Sequence, residues 1–348
     1  MHYKYIVIGN CEKNGWYDYY SYAYKEVNEL DYSLFDNSYF FYNFFVRMLY
    51  RLHNSQKINK ILNLPFKELW LKKRIKRYAK IFNFNDSLCF LLFSDCLKDE
   101  KIGLSRIIRE TYPNSRIVYF FQDLVCKDKN KEDFLKKNRN IADLVYTFDY
   151  GDAEKYDLKF HNIPYSDLSG LFKDVELKYD ICFVGQAKDR FDDILSAYRV
   201  FKNQGLKCIF YIIGVGKDNK VIEDDIHYCD FIPYKDYLRI VSESKCILEI
   251  MQKGGTGNTI RVSEAIALDK LLISNNKTLL QNSLYDSKYM MVYDNLEDVN
   301  IREFIELNKK VNYVNKEQNY PSALFKQIEK DLDMLETDKI DKKYFKQD

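Results

Sequence analysis

No apolar run in this 348-residue chain approaches the ~20 residues that a membrane-spanning helix requires. None of the eight cysteines forms a Cys-x-x-Cys pair, and there are only four histidines. No spacing joins the two types as a ligand set, which argues against zinc. Cys182, Cys208 and Cys246 lie inside apolar runs, where a reduced thiol behaves as a small hydrophobe. Neither sign of charge dominates: 54 basic residues stand against 52 acidic ones. That balance excludes a general nucleic-acid binder. Internal repeats and low-complexity tracts are missing too. The opening MHYKYIVIGN enters a strand-like run directly, without a signal-peptide pattern, so a cytoplasmic chain is expected.

What is present is an alternation. Short, nearly continuous apolar runs fall at 4–9, 87–93, 116–122 and 143–148, and again at 179–185, 207–214, 226–232, 245–251, 270–274 and 289–293. Segments of helical period lie between them, at about 19–30, 38–53, 65–82, 99–111, 130–140, 189–204, 234–243, 257–268 and 297–308. Continuous apolarity suits parallel strands covered by helices on both faces. The alternation predicts right-handed βαβ units and doubly wound α/β sheets. The pattern starts twice, on either side of the polar loop NIPYSDLSGLFKDVELK. The expected division is a Rossmann-like domain over 1–170, a second over 171–320, and a C-terminal helix with a charged, frayed tail over 321–348. Ligands of such a pair are expected in a cleft at the strand carboxyl ends.

Two strand-end loops carry chemistry. In KCILEIMQKGGTGNTIRVSEAIALDKLLISNN, Gly254, Gly255 and Gly257 permit a sharp turn and close backbone approach. The segment 257–268 then reads as a helix with Asn258 and Thr259 in its first turn, and its N–H groups suit a phosphate. Arg261 offers a forked donor and Glu264, three residues on, an acceptor for ribose hydroxyls. In CFVGQAKDR, Gly185 ends a strand and Lys188 and Arg190 precede a helix. Each loop taken singly also reads as ordinary helix capping with solvated charge. Asp95 and Asp123, each just past a first-half strand, are candidates for a general base or for simple caps. Gly9 and Asn10 occupy the equivalent place after the first strand.

Residues 56–80 hold nine Lys or Arg with Glu68 the single acid, and Trp70, Leu71, Ile75 and Tyr78 are interleaved. A basic amphipathic helix of this kind fits an anionic membrane surface or a solvated face packed on a sheet. Asp331-Leu-Asp333 lies in the expected tail helix and reads as surface charge rather than a metal site.

YDICFVGQAKDR, KCIFYIIG and DFIPYKDYLRIVSESKCILEIMQKGGTGNTIRVSEAIALDKLLISNN, with ADLVYTFDYGDAEKY in the first half, resemble GT-B glycosyltransferases. The similarity is greatest to bacterial enzymes that build capsule or lipopolysaccharide chains, and it covers most of 143–293. It implies a nucleotide diphosphate-sugar donor and a saccharide acceptor, and the basic run 56–80 suits an acceptor that is lipid-linked at the inner face of a membrane. It implies that Gly185, Lys188 and Arg190 meet the diphosphate, and that Gly214 and the turn ending at Tyr234 line the base pocket. Gly257, Asn258, Thr259 and Arg261 would hold the diphosphate and Glu264 the ribose. Where many retaining enzymes of this fold place a further glutamate, this chain has Thr256; either Glu249 in the preceding strand substitutes or the contact is absent. Fixed cations make a metal unnecessary, so no cofactor is expected. A nucleotide-sugar epimerase and a non-catalytic subunit of a partner transferase are the alternatives with the same fold.

Overall fold

The computed structural model describes residues 2–9, 18–25, 32–36, 43–53, 55–62, 64–78, 82 and 86–344. Asn10 and parts of the expected helices 19–30, 38–53, 65–82 and of the basic run 56–80 lie outside the described residues. The chain divides into two units, one of 1–12, 28–147 and 326–348, the other of 13–27 and 148–325.

In the first unit, β1 (Lys4–Gly9), β2 (Tyr32–Asp36), β3 (Leu88–Phe93), β4 (Arg116–Phe121) and β5 (Leu144–Thr147) run parallel in the order β2-β1-β3-β4-β5. Val7 pairs in register with Leu34 on one side and Leu91 on the other. The order reverses between β1 and β3, the doubly wound arrangement with its switch point there. All six residues of LCFLLF are buried, which is why β3 reads as a continuous apolar run. The second unit has the short helix α1 (Tyr19–Ala23) from the early chain. Between β2 and β3, in the first unit, come α2 (Phe44–His53), α3 (Gln56–Ile61) and α4 (Lys67–Tyr78). Between β3 and β4 come α5 (Leu97–Glu100) and α6 (Leu104–Thr111), and before β5 comes α7 (Lys129–Asn138).

The second unit continues with α8 (Tyr150–Tyr156), the two-residue β6 (Lys159–Phe160), β7 (Tyr179–Gln186), α9 (Phe191–Asn203), β8 (Cys208–Ile213) and β9 (Ile226–Cys229). Then follow α10 (Tyr234–Ser242), β10 (Ser244–Glu249), α11 (Ile260–Ala267), β11 (Leu271–Ser274), β12 (Met290–Val292), α12 (Ile301–Leu307) and α13 (Pro321–Tyr344). Its sheet is parallel in the order β12-β11-β10-β7-β8-β9. The order reverses between β7 and β10, the first and fourth strands of the series, as in a dinucleotide-binding fold. Phe183, Phe201 and Phe210 are buried in its core, with the Tyr198 ring edge-on to Phe210 at 5.4 Å.

The two sheets match the expected doubly wound α/β architecture, and several details differ from expectation. The division falls at 147/148 rather than 170/171, because Asp149 is tied to the 256–257 loop of the second unit. The tail is no appendage. From Lys326 onward α13 belongs to the first unit, where Ile328 and Leu332 are buried and Arg116 pairs with Glu336. Asp331 is consequently not surface charge: it is buried and accepts a 2.6 Å hydrogen bond from the Tyr146 hydroxyl. The basic run is two helices, not one, since α3 ends at Ile61 and α4 starts only after Pro65. The expected helix 99–111 is broken by Gly103 at φ 95°. The strands β2 and β6 and the helix α8 were not foreseen.

Candidate functional site

The best-defined constellation lies at the carboxyl ends of β7 and β10, on either side of the sheet reversal. Where these strands end, the chain must turn, and the two turns hold most of the residues singled out above.

After β7, Arg190 does not reach solvent. It is 5% exposed, and its guanidinium donates to the Ile250 and Gln186 carbonyls, stapling the end of β10 to the end of β7. Burial lowers its pKa to about 10, and the nearby Arg261 adds to the effect. Its Nε is buried with no hydrogen-bond partner. As placed, Arg190 is a strand-end staple that keeps a positive charge beside the turn. Arg261, half-buried, donates to the Val184 carbonyl. Both guanidinium carbons sit over the Phe183 ring, at 5.8 and 5.5 Å. A Cβ at Gly185 would meet the Arg261 guanidinium, which would have to shift. Lys188 is exposed in a left-handed conformation at φ 46°, and Gly214 is exposed at the end of β8.

The second turn is held by a residue the sequence reading missed. Asp149 is 2% exposed and caps α8 by accepting from the Asp152 N–H at 2.9 Å. Its other oxygen accepts from the Thr256 and Gly257 N–H groups at 2.6 and 2.7 Å. The Thr256 hydroxyl donates to Asp149 at 3.1 Å and accepts from the Gly151 N–H at 2.8 Å. Those two loop N–H groups are thus occupied by a carboxylate. Gly257 packs so closely that a Cβ would strike the Phe148 carbonyl and lie 2.7 Å from the Asp149 Cα. Asn258 is buried in an amide network: it donates to Asn162 at 3.3 Å, and Asn282 donates to the same oxygen at 2.8 Å. Asn276 donates to the Gly257 carbonyl at 3.1 Å. The signal that could have found Asp149 is the segment ADLVYTFDYGDAEKY, already noticed as a resemblance.

This anchoring delays the helix. α11 begins at Ile260, not 257, and Thr259 is its N-cap, accepting from the Arg261 N–H at 3.2 Å. The Thr259 hydroxyl also donates to Glu249, as does the Ser274 hydroxyl. Glu249 is completely buried, and burial raises its pKa. As placed it braces β10, β11 and the α11 cap. Glu264 is likewise fully buried. Its oxygens accept from the Tyr234 hydroxyl at 2.5 Å and from the Tyr237 hydroxyl. The Tyr165 hydroxyl lies 2.6 Å from that of Tyr234, and the Tyr19 ring stands edge-on to Tyr234 at 5.6 Å. Burial outweighs the tyrosine bonds and the nearby Arg261, and raises the Glu264 pKa to about 7. As placed, Glu264 with Tyr234 and Tyr237 forms a buried carboxylate–tyrosine clamp joining α10 to α11.

In the first unit, Asp95 follows β3 at the sheet reversal and is half-buried. Burial raises its pKa, with Lys98 opposing and Asp123 adding. Asp123, past β4, is 80% exposed, 4.0 Å from the Lys131 ammonium.

Residues 197–320 match the family model described as "Glycosyl transferase-like". No curated protein sequence matches the chain. Among solved structures, an α-glucosyltransferase in complex with UDP and a 13-mer DNA is 11% identical, with 95% of this chain and 99% of that one covered at a TM-score of 0.54. An α,α-trehalose 6-phosphate synthase from Burkholderia multivorans is 10% identical, with 99% of each chain covered at 0.51. The chain spans about half the length of TarM, 51% of it, at 13% identity over 68% of this chain and a TM-score of 0.41. Two parallel α/β sheets, one with its switch point set between stapled strand ends, give the chain the GT-B fold of these solved structures, and its segment 197–320 is similar to the glycosyl transferase-like family.

Proposed function

We propose that this protein transfers a glycosyl group from a nucleotide diphosphate-sugar to a hydroxyl of a growing saccharide, lipid-linked, in the synthesis of a bacterial surface polysaccharide. The observation that carries the donor side is the sheet reversal between β7 and β10. A crevice outside the strand ends is where ligands bind in such sheets. There two guanidinium groups converge on Phe183, and the N-cap of an eight-residue helix follows a glycine loop. The glycosyltransferase relatives include structures with UDP. The family match favours transfer over epimerisation or a non-catalytic role.

The donor diphosphate leaves with developing negative charge. Lys188, Arg190 and Arg261 supply fixed positive potential there, so the proposal needs no metal. Asp95, at the reversal of the other sheet and with a raised pKa, is the proposed general base for the acceptor hydroxyl.

The test is thermal stabilisation by UDP, GDP, CMP and dTDP, each with and without EDTA. A ligand that binds only the folded state must raise the melting temperature. One nucleotide is expected to shift it, insensitively to EDTA, and Arg261→Ala is expected to abolish that shift. No shift at millimolar nucleotide would refute the donor site.

A further inference from the structure

The apolar stripe of α2 faces outward. Phe44, Phe45, Met48, Leu49 and Leu52 recur at helical spacing and are 62, 69, 43, 54 and 48% exposed. Among the described residues of α2 none is buried. The opposite side of the helix is the seam that holds it: the Tyr50 ring stands edge-on to Trp70 at 5.7 Å, and the Trp70 indole N–H donates to His53 at 2.8 Å. On the neighbouring segment Phe66 and Leu69 are 70 and 59% exposed. Five large apolar side chains exposed along one helix stripe, with two more exposed on the neighbouring segment, exceed the scatter normal for a protein surface and mark an interaction site.

The charge beside it selects the partner. From 43 to 78 the chain has ten Lys or Arg and one acid, Glu68. Arg74 is committed to a buried pair with Asp99, whereas Arg51, Lys57, Lys60, Lys73, Lys76 and Arg77 are exposed. Two copies of such a surface would bring like charges together. An anionic bilayer answers both features, taking the apolar stripe into its acyl boundary and the cations to its headgroups.

We infer that α2, flanked by the cations of α2–α4, docks this unit on an anionic phospholipid surface. The basic run 56–80 had suggested such contact, but the inserting residues lie before it, on 44–52. The inference extends the lipid-linked-acceptor reading and rests on it for its purpose. Vesicle binding is nevertheless measured without any transfer reaction, so the two fail separately.

The experiment is co-sedimentation of the full chain with vesicles of phosphatidylcholine alone or with about one-third phosphatidylglycerol. Binding to the anionic vesicles is expected to exceed binding to neutral ones about tenfold and to fall as salt is raised. Phe45→Ser with Leu49→Ser is expected to cut the bound fraction about tenfold. Both side chains are exposed, so the melting temperature and the nucleotide-induced shift stay as in the wild type. Equal sedimentation with both vesicle types, none with either, or unimpaired binding of the double variant would overturn the inference. So would concentration-dependent self-association of the wild type that the double variant abolishes, which would assign the patch to a second copy.

Discussion

The two sheets end differently. In the second unit, several ionisable groups at the strand ends are buried and hydrogen-bonded: Asp149 to two loop N–H groups, Glu249 to two hydroxyls, Glu264 to two tyrosines, Arg190 to two carbonyls. In the first unit, Asp95 is half-buried and Asp123 stands 80% exposed beside Lys131. One scaffold thus supports a rigid, pre-set strand end and an open one. Buried polar groups held by several hydrogen bonds favour one arrangement, whereas exposed carboxylates remain available to take up a proton.

The sharpest way to break this contrast is through the open end. Asp95→Asn is expected to lower turnover by roughly 10²- to 10⁴-fold, the range of a lost general base, while leaving the nucleotide shift intact. If Asp123→Asn has the larger effect, the base is the exposed carboxylate and the argument from the sheet reversal fails.

A second test concerns Glu264. Its folded-state pKa of about 7 lies above the ordinary 4.5, so the folded protein keeps a proton that the unfolded chain releases between those values. Its contribution to stability is whole below pH 4.5 and is lost as pH rises through 7, on the order of 3 kcal/mol in all. Denaturant unfolding at pH 5 and 8 should show wild type losing stability relative to Glu264→Gln. Parallel curves for the two proteins would mean that the carboxylate is ionised throughout.

Asp149→Ala should come next in size. It leaves the Thr256 and Gly257 N–H groups without their acceptor, a cost of roughly 1–3 kcal/mol in unfolding free energy. The loss should be accompanied by a weaker nucleotide shift, because the loop before α11 is no longer held. An unchanged shift would make Asp149 a purely structural cap of α8. The smallest change expected is for Thr259→Ala, about 1 kcal/mol from the lost N-cap. A negligible effect would show that Ser274 alone satisfies Glu249.

Much of the fold was legible because parallel strands buried on both faces leave an unmistakable trace, as LCFLLF and YDICFVGQ show. The strand YSLFD was not read, nor was the helix after Asp149; both are short, and their stability comes from neighbours rather than periodicity. The site was half legible. Gly185 and Arg261 lie against each other, and Gly257 and Thr259 sit in the turn before α11. The directions of Arg190, Glu249 and Glu264 were not legible, since a charged residue after a strand reads the same whether it faces solvent or the interior.

The sequence by itself determined the doubly wound α/β class, the two strand-end loops and the unusual run of cations at 56–80. All three follow from local periodicity, from glycine placement and from charge, which a linear chain displays directly. Only the tertiary structure decided that Asp149, more than a hundred residues away, holds the glycine loop, that two glutamates are buried, and that the apolar stripe of α2 faces outward. Those outcomes depend on which distant groups meet and on which face is covered. Burial and partner choice are properties of the packed chain, and no local pattern encodes them.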